Sequence, residues 1–223
     1  SIMAAPGALV ISKIVWPETE ESQTKGTIKV EVKRNQANLI DAAAHGASDG
    51  MRIGLNVVAM LIGFIALIAL CDAICGQLGH LLFNLGLRMD GLGINLADLK
   101  LKDIFGAIFA PIAFVLGVPW ADTHTVGRLM GEKLVINEFV AYTDLSAMLK
   151  DPARSLSVQA ETIATFALCG FANFSSVAIQ IGGIGEIAPS RREDLARLGI
   201  KALICGTMAS YLSATLAGLL TSF

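Results

Sequence analysis

The chain has 223 residues, of which 54% are hydrophobic and only 16% charged, against about 25% charged in a typical soluble domain. The net charge is −2 with no basic excess, which excludes a nucleic-acid-binding surface built on charge. The charges lie between four uncharged runs, 53–71, 104–121, 162–185 and 202–223, each 18 to 24 residues long. About 20 apolar residues cross a bilayer as a helix, so the composition points to an all-α, multi-pass membrane protein.

Residues 1–16 are apolar from Ile2 onward and stop at Trp16–Pro17, where proline ends a helix. No basic stretch precedes this run, so it reads as the end of a preceding transmembrane helix rather than a signal peptide. The chain is expected to be the carboxy-terminal part of a longer protein. Residues 17–37 carry Lys25, Lys29, Lys33 and Arg34 and read as a solvated cytoplasmic linker. The alternation from Thr27 to Lys33 would also suit a short strand.

Residues 38–50 are small and mildly amphipathic and read as a short interfacial helix. Gly46–Ala47–Ser48–Asp49–Gly50 matches G-x-S-x-G formally. That motif needs a strand before it, and an Ala-rich helix stands there instead, so a hydrolase is rejected. Residues 51–83 form a long spanning helix interrupted by Asp72. Cys71 and Cys75 share one face of it without a nearby His and read as small packing residues, not metal ligands. Residues 84–103 read as a polar loop.

Residues 104–118 are apolar and lead into Gly117–Val118–Pro119–Trp120. Residues 125–148 have a helical pattern but carry Arg128, Glu132, Lys133, Glu138 and Asp144. Such a segment cannot face lipid on all sides. A re-entrant helical hairpin over 103–146, turning near Pro119 and buried in protein, satisfies both halves. Residues 158–185 are apolar but interrupted at Gly170 to Ser176, where Gly and Asn weaken a helix interior. A discontinuous helix, unwound near Asn173, is expected. Asn173–Phe174–Ser175 also spells a glycosylation sequon, at a depth that no glycosylating enzyme reaches. Residues 186–201 read as a charged loop and 202–223 as a last transmembrane helix.

Segment 13–52 holds six Lys or Arg, 186–201 holds four and 143–161 holds two. The positive-inside rule places the first two segments in the cytoplasm. The parity agrees if the hairpin enters and leaves from outside.

A carboxylate at the bilayer centre costs about 2.5–3.5 kcal/mol on insertion scales, so an acid there marks function by default. Glu138 therefore needs water, a cation, a donor or a proton. One reading is a structural ion pair with Lys133 or Arg128, although Lys133 lies off the i,i+4 face. The other is a wet cavity where Glu138, Asn137, Asn173 and Ser176 converge, with Phe171 and Phe174 nearby. For Phe174 alone, lipid-facing packing is expected. Carboxylate, amide and hydroxyl groups together suit a neutral solute rich in hydroxyls. Broken helices meeting at the midplane are how secondary transporters build such sites. An intramembrane enzyme using Glu138 as general base would need a nucleophile or metal within reach. None of His45, His80 and His124 lies in a polar cluster at membrane depth. A channel subunit without coupling is a third reading.

The stretch Gly131-Glu132-Lys133-Leu134-Val135-Ile136-Asn137-Glu138-Phe139-Val140-Ala141-Tyr142 resembles the G-x-K-x-x-x-N-E-F-V-A-Y signature of concentrative nucleoside transporters. Gly117 to Trp120 and Cys169 to Ser176 resemble the same family in order and spacing. The likeness covers essentially the whole chain and is nearest to the bacterial members. It implies the second half of an inverted-repeat elevator transporter in the cell inner membrane, working as a homotrimer. It implies a scaffold helix at 51–83 and a transport domain made of 103–146, 158–185 and 202–223. It also implies a nucleoside substrate of uridine type, with Glu138, Asn173 and Ser176 binding the ribose and Phe171 lining the pocket. Sodium or a proton would be the coupling ion. The family's first hairpin and its cation-binding segments have no counterpart in these residues, so the metal ligands are unknown.

Overall fold

The structure is a computed structural model. It describes residues 4–19, 37–89, 94–151 and 156–221, without the side chains of residues 60, 61 and 64. The expected linker at 17–37, with its optional strand, falls mostly outside the described residues.

Among the described residues eight α-helices follow in order: α1 (Ala4–Val15), α2 (Leu39–Asn84), α3 (Leu101–Val115), α4 (Thr123–Val135), α5 (Glu138–Lys150), α6 (Val158–Leu168), α7 (Phe174–Ile187) and α8 (Arg192–Thr221). The interfacial helix expected at 38–50 and the spanning helix expected at 51–83 are one continuous rod, α2. Gly46 and Gly50 do not stop it, because glycine lowers helix stability without breaking the hydrogen-bond ladder. Asn38 caps its start, accepting from the Asp41 amide at 2.9 Å. At its end Gly86 takes φ +84°, and the Leu87 amide donates back to Leu82 O at 3.1 Å. That is a Schellman closure, which needs a left-handed residue.

Two described helical stretches are long and apolar enough to cross a membrane, Ile65–Asn84 and Pro189–Thr221. The run at 162–185 gives no single span because it is split into α6 and α7. The charged segment 186–201, expected as a loop, is helical from Arg192 onward. Its acidic residues Glu193 and Asp194 sit in the first turn of α8, where the helix dipole favours them.

The hairpin is formed by α3 and α4. Val118 N donates to Ala113 O at 3.1 Å, Gly117 N donates to Phe114 O at 3.0 Å, and Gly117 has φ +99°. This second Schellman closure reverses the chain just before Pro119, as the sequence indicates. The arms touch backbone to backbone. A Cβ on Gly127 would lie 2.7 Å from Ala110 N, and one on Gly131 would lie 2.8 Å from Gly106 N. At the open end Lys102 pairs with buried Glu132 at 3.0 Å and Arg128 with Asp103 at 3.6 Å. The acid in the apolar run of α2 also has a structural use. Asp72 Oδ1 accepts the Leu101 amide at 2.8 Å, one of the orphan donors at the start of α3.

The core lies among α3 to α6 and α8. On α6, Ala160, Ile163, Ala164, Ala167 and Leu168 are all fully buried, an i, i+3, i+4 stripe. Glycines again allow close approach, since a Cβ on Gly218 of α8 would lie 2.5 Å from Ile163 Cγ1. By contrast α2 exposes Leu55, Ile62, Ile65, Leu70 and Ile74, a surface that suits lipid or protein rather than water.

Gly127→Val should lower the stability of the complete protein by about 1–3 kcal/mol or more, because backbone cannot yield to the new methyls. Gly46→Ala, with nothing within 4 Å of the added Cβ, should leave stability unchanged or raise it by up to about 1 kcal/mol. Thermal unfolding in detergent measures both.

Candidate functional site

Two helices break at the same place in the fold. The sequence shows one of these breaks, between Leu168 and Phe174. The other separates α4 from α5 at Ile136–Asn137, within what reads as one hairpin arm. Ile136 sits at φ −98°, ψ −86° and Asn137 is fully extended. Each break ends in an asparagine that caps the next helix. Asn137 Oδ1 accepts the Val140 amide at 2.9 Å, and Asn173 Oδ1 accepts the Ser176 amide at 2.7 Å. Asn caps are strongly favoured because their side-chain oxygen satisfies an orphan amide. The Ser176 hydroxyl accepts the Asn173 amide at 3.0 Å, which completes a capping box.

The two breaks bond to each other. Asn173 Nδ2 donates to Glu138 Oε2 at 2.7 Å. Ser175 Oγ, on a buried residue, lies 3.0 Å from Ile136 O and 2.7 Å from Asn173 Oδ1. Glu138 is the first residue of α5 and receives its bond from the N-cap of α7. The carboxylate thus sits where two helix N-termini converge, each carrying partial positive charge. A hydrogen bond to a charged group contributes about 1.5–3 kcal/mol, so this contact fixes the relative placement of the breaks.

The twelve residues from Gly131 to Tyr142 serve the opposite end of the α6–α7 break as well. Lys133 Nζ donates to Ala167 O at 3.0 Å, and Tyr142 OH donates to Thr165 O at 2.6 Å. Both carbonyls belong to the last turn of α6. Lys133 and Arg128 therefore make their direct contacts elsewhere than Glu138, since Arg128 pairs with Asp103, although the Lys133 and Glu138 charges attract at longer range. Sequence reasoning names Lys133 only as a possible partner of Glu138, and it assigns no role to Tyr142 or Ser175. For Lys133 a usable signal exists, a lysine directly after Glu132 in a segment that must be buried.

The expected residues come together in part. Glu138, Asn173 and Ser176 form one cluster, while the Asn137 side chain is used to cap its own helix. A cavity of about 540 Å³ between α1, α7 and α8 has Phe171, Asn173 and Ser176 on its wall, together with Gln180 and Ser210. Glu138 and Asn137 are not part of that wall. Phe171 is 76% exposed and free to cover a ligand. Phe174 does not point to lipid. Its ring meets that of Phe105 on α3 edge-on, with 6.2 Å between centroids. Among the described residues no group of three potential ligands could hold a metal ion.

The family model described as "Na+ dependent nucleoside transporter C-terminus" matches residues 1–218. The chain belongs to the sodium-dependent nucleoside transporter family. It is 48% identical over 220 residues to an uncharacterized transporter, YutK, of Bacillus subtilis, covering 98% of this chain and 50% of that protein. It is 40% identical to the nucleoside permease NupC of Helicobacter pylori, over 98% and 49% of the two chains. Sodium/nucleoside cotransporter 1 of Mus musculus is 38% identical, over 99% and 34%. Among solved structures, CNTnw in an inward-facing substrate-bound state is 42% identical with a TM-score of 0.70, over 98% of this chain and 49% of that one. A CNTnw variant in an outward-facing state is 43% identical with a TM-score of 0.80, over 98% and 49%. The chain spans about half the length of its bacterial relatives. It is an all-α membrane protein with the fold of the second half of an elevator-type transporter. Membership in a family of transporters removes the reading of Glu138 as an enzymatic base.

Asn173→Asp would set a second carboxylate 2.7 Å from Glu138 Oε2. Two carboxylates that close repel each other, and the amide donor that joins the two breaks is lost. The variant should lower the stability of the complete protein by about 1–3 kcal/mol, as thermal unfolding in detergent measures.

Proposed function

We propose that this chain is the carboxy-terminal half of a cation-coupled nucleoside symporter, and that Glu138, Asn173 and Ser176 bind the ribose. The observation that supports this most directly is the Glu138–Asn173 contact of 2.7 Å at two facing helix breaks. Asn173 uses one amide proton there, and Glu138 keeps its second oxygen for a sugar hydroxyl. A vicinal diol offers two donors to a carboxylate at hydrogen-bonding distance. Ser176 lies on the cavity wall, and the exposed ring of Phe171 can close over the base or sugar face. Asn137 acts indirectly, by starting α5 where Glu138 must stand.

Transport follows from the division of the fold. In this reading α2 is the scaffold helix, and α3 to α8 form the transport domain that moves past it with its solute. Asn56 Nδ2 on α2 donates to Glu186 Oε2 on α7 at 3.1 Å, a contact that such a stroke must break. The rest of the solute site and the ligands of the coupling ion, sodium or a proton, come from the other half of the complete protein. The complete protein works as a homotrimer in the cell inner membrane and imports nucleosides of uridine type.

Glu138→Gln in the complete protein should weaken uridine uptake about tenfold to a hundredfold, the equivalent of one charged hydrogen bond. Membrane insertion should be unchanged. Ion-gradient-driven uptake of labelled uridine into vesicles checks this, and unaltered kinetics would refute the assigned role. Uptake that only equilibrates, with no accumulation against the gradient, would favour an uncoupled channel.

A further inference from the structure

The proposed solute site leaves the most completely buried cation of the hairpin without a task. Lys133 is 1% exposed and heads the fully buried side chains by volume. A buried ammonium needs compensation, and Lys133 finds it in the field of the Glu138 carboxylate and, by direct contact, at the broken end of α6. In an unbroken helix Ala167 O would accept the Phe171 amide and Thr165 O the Cys169 amide, four residues on. Here α6 stops at Leu168, and the Cys169 amide turns to Phe166 O instead. Lys133 Nζ takes the place of one missing donor, at 3.0 Å from Ala167 O, and the Tyr142 hydroxyl takes the other at Thr165 O. The face of the Tyr211 ring from α8 lies 5.8 Å from the ammonium, within cation–π reach. The bend closes tightly over it. A Cβ on Gly170 would lie 3.7 Å from Nζ and 1.9 Å from Ser210 Oγ. Carbonyl end and aromatic face together form an environment for a monovalent cation, and the protein fills it with its own side chain.

We propose that Lys133 is a positioning residue for the solute site, a tethered cation that neutralises the carboxyl end of α6 and keeps the break in the register that presents Asn173 to Glu138. This rests on the reading of Glu138 and Asn173 as solute-binding groups. The ammonium does not touch the solute. It acts through the segment 169–173, whose far end carries the Asn173 cap.

The test uses the complete transporter in vesicles, with Lys133→Met, Lys133→Ala and Glu138→Gln assayed side by side for uridine uptake. Lys133→Met keeps most of the volume and loses the charge. It should insert normally and raise the half-saturating uridine concentration about tenfold or more, with the maximal rate changed less than about threefold. In Lys133→Ala, propylammonium supplies the missing atoms and charge and should restore half-saturation, whereas neutral 1-propanol should not. The proposal is overturned if Lys133→Met saturates like the parent protein, or if propanol rescues as well as propylammonium. It is also overturned if neither Lys133 variant inserts as a single species, since Lys133 would then be needed for folding alone. If Glu138→Gln leaves uptake intact, the solute-site reading fails independently of Lys133. If Glu138→Gln disables uptake and the Lys133 variants behave normally, only the present inference fails.

Discussion

Backbone left unpaired at membrane depth has no water to turn to, and the organisation of this chain follows from how that demand is met. An interrupted helix exposes amides at one end and carbonyls at the other. This fold interrupts two helices side by side and lets each supply what the other lacks. Asn137 and Asn173 cap their own helices, Ser175 reaches across to Ile136 O, and Asn173 donates to Glu138. Lys133 and Tyr142 close the carbonyl end. The acid at the centre is therefore held in direct contact by a neutral donor and helix N-termini, with the Lys133 charge acting on it from a distance. Such an arrangement leaves a carboxylate oxygen available to a solute, which a direct Lys133–Glu138 salt bridge would not.

The same demand explains the signature from Gly131 to Tyr142. Gly131 lets the hairpin arms meet backbone to backbone. Lys133 and Tyr142 point to α6, whereas Glu138 meets the cap of α7 and Asn137 caps α5. Helical spacing puts Lys133 and Glu138 on different faces, and the break at Ile136 separates them further. One short segment can thus satisfy both sides of a gap in its neighbour. The rigid hairpin behind it provides the support.

Much of this was legible in the sequence, for physical reasons that differ by element. The hairpin turn at Gly117–Pro119 and the unwound segment before Asn173 announce themselves through residues with strong local preferences. The charged pattern of 125–148 showed that this segment must be buried. The second break was hidden, because Val135-Ile136-Asn137-Glu138 contains neither Gly nor Pro and only tertiary bonding makes Asn137 a cap. The union of 38–50 with 51–83 was missed because glycines in a helix change stability more than shape. The start of α8 at Arg192 was missed because a run of charges reads as loop unless the helix end that it stabilises is known. The partners of Lys133 and Arg128 depend on where α6 and α3 lie, which no local pattern encodes.

The central claim is that the carboxylate bonded to Asn173 faces a bound nucleoside. A structure of the complete protein with uridine bound tests it most directly. The account predicts a ribose hydroxyl within hydrogen-bonding distance of Glu138, with the Asn173 amide and Ser176 hydroxyl on the same sugar. Uridine seated elsewhere, with Glu138 turned onto Lys133, would contradict it.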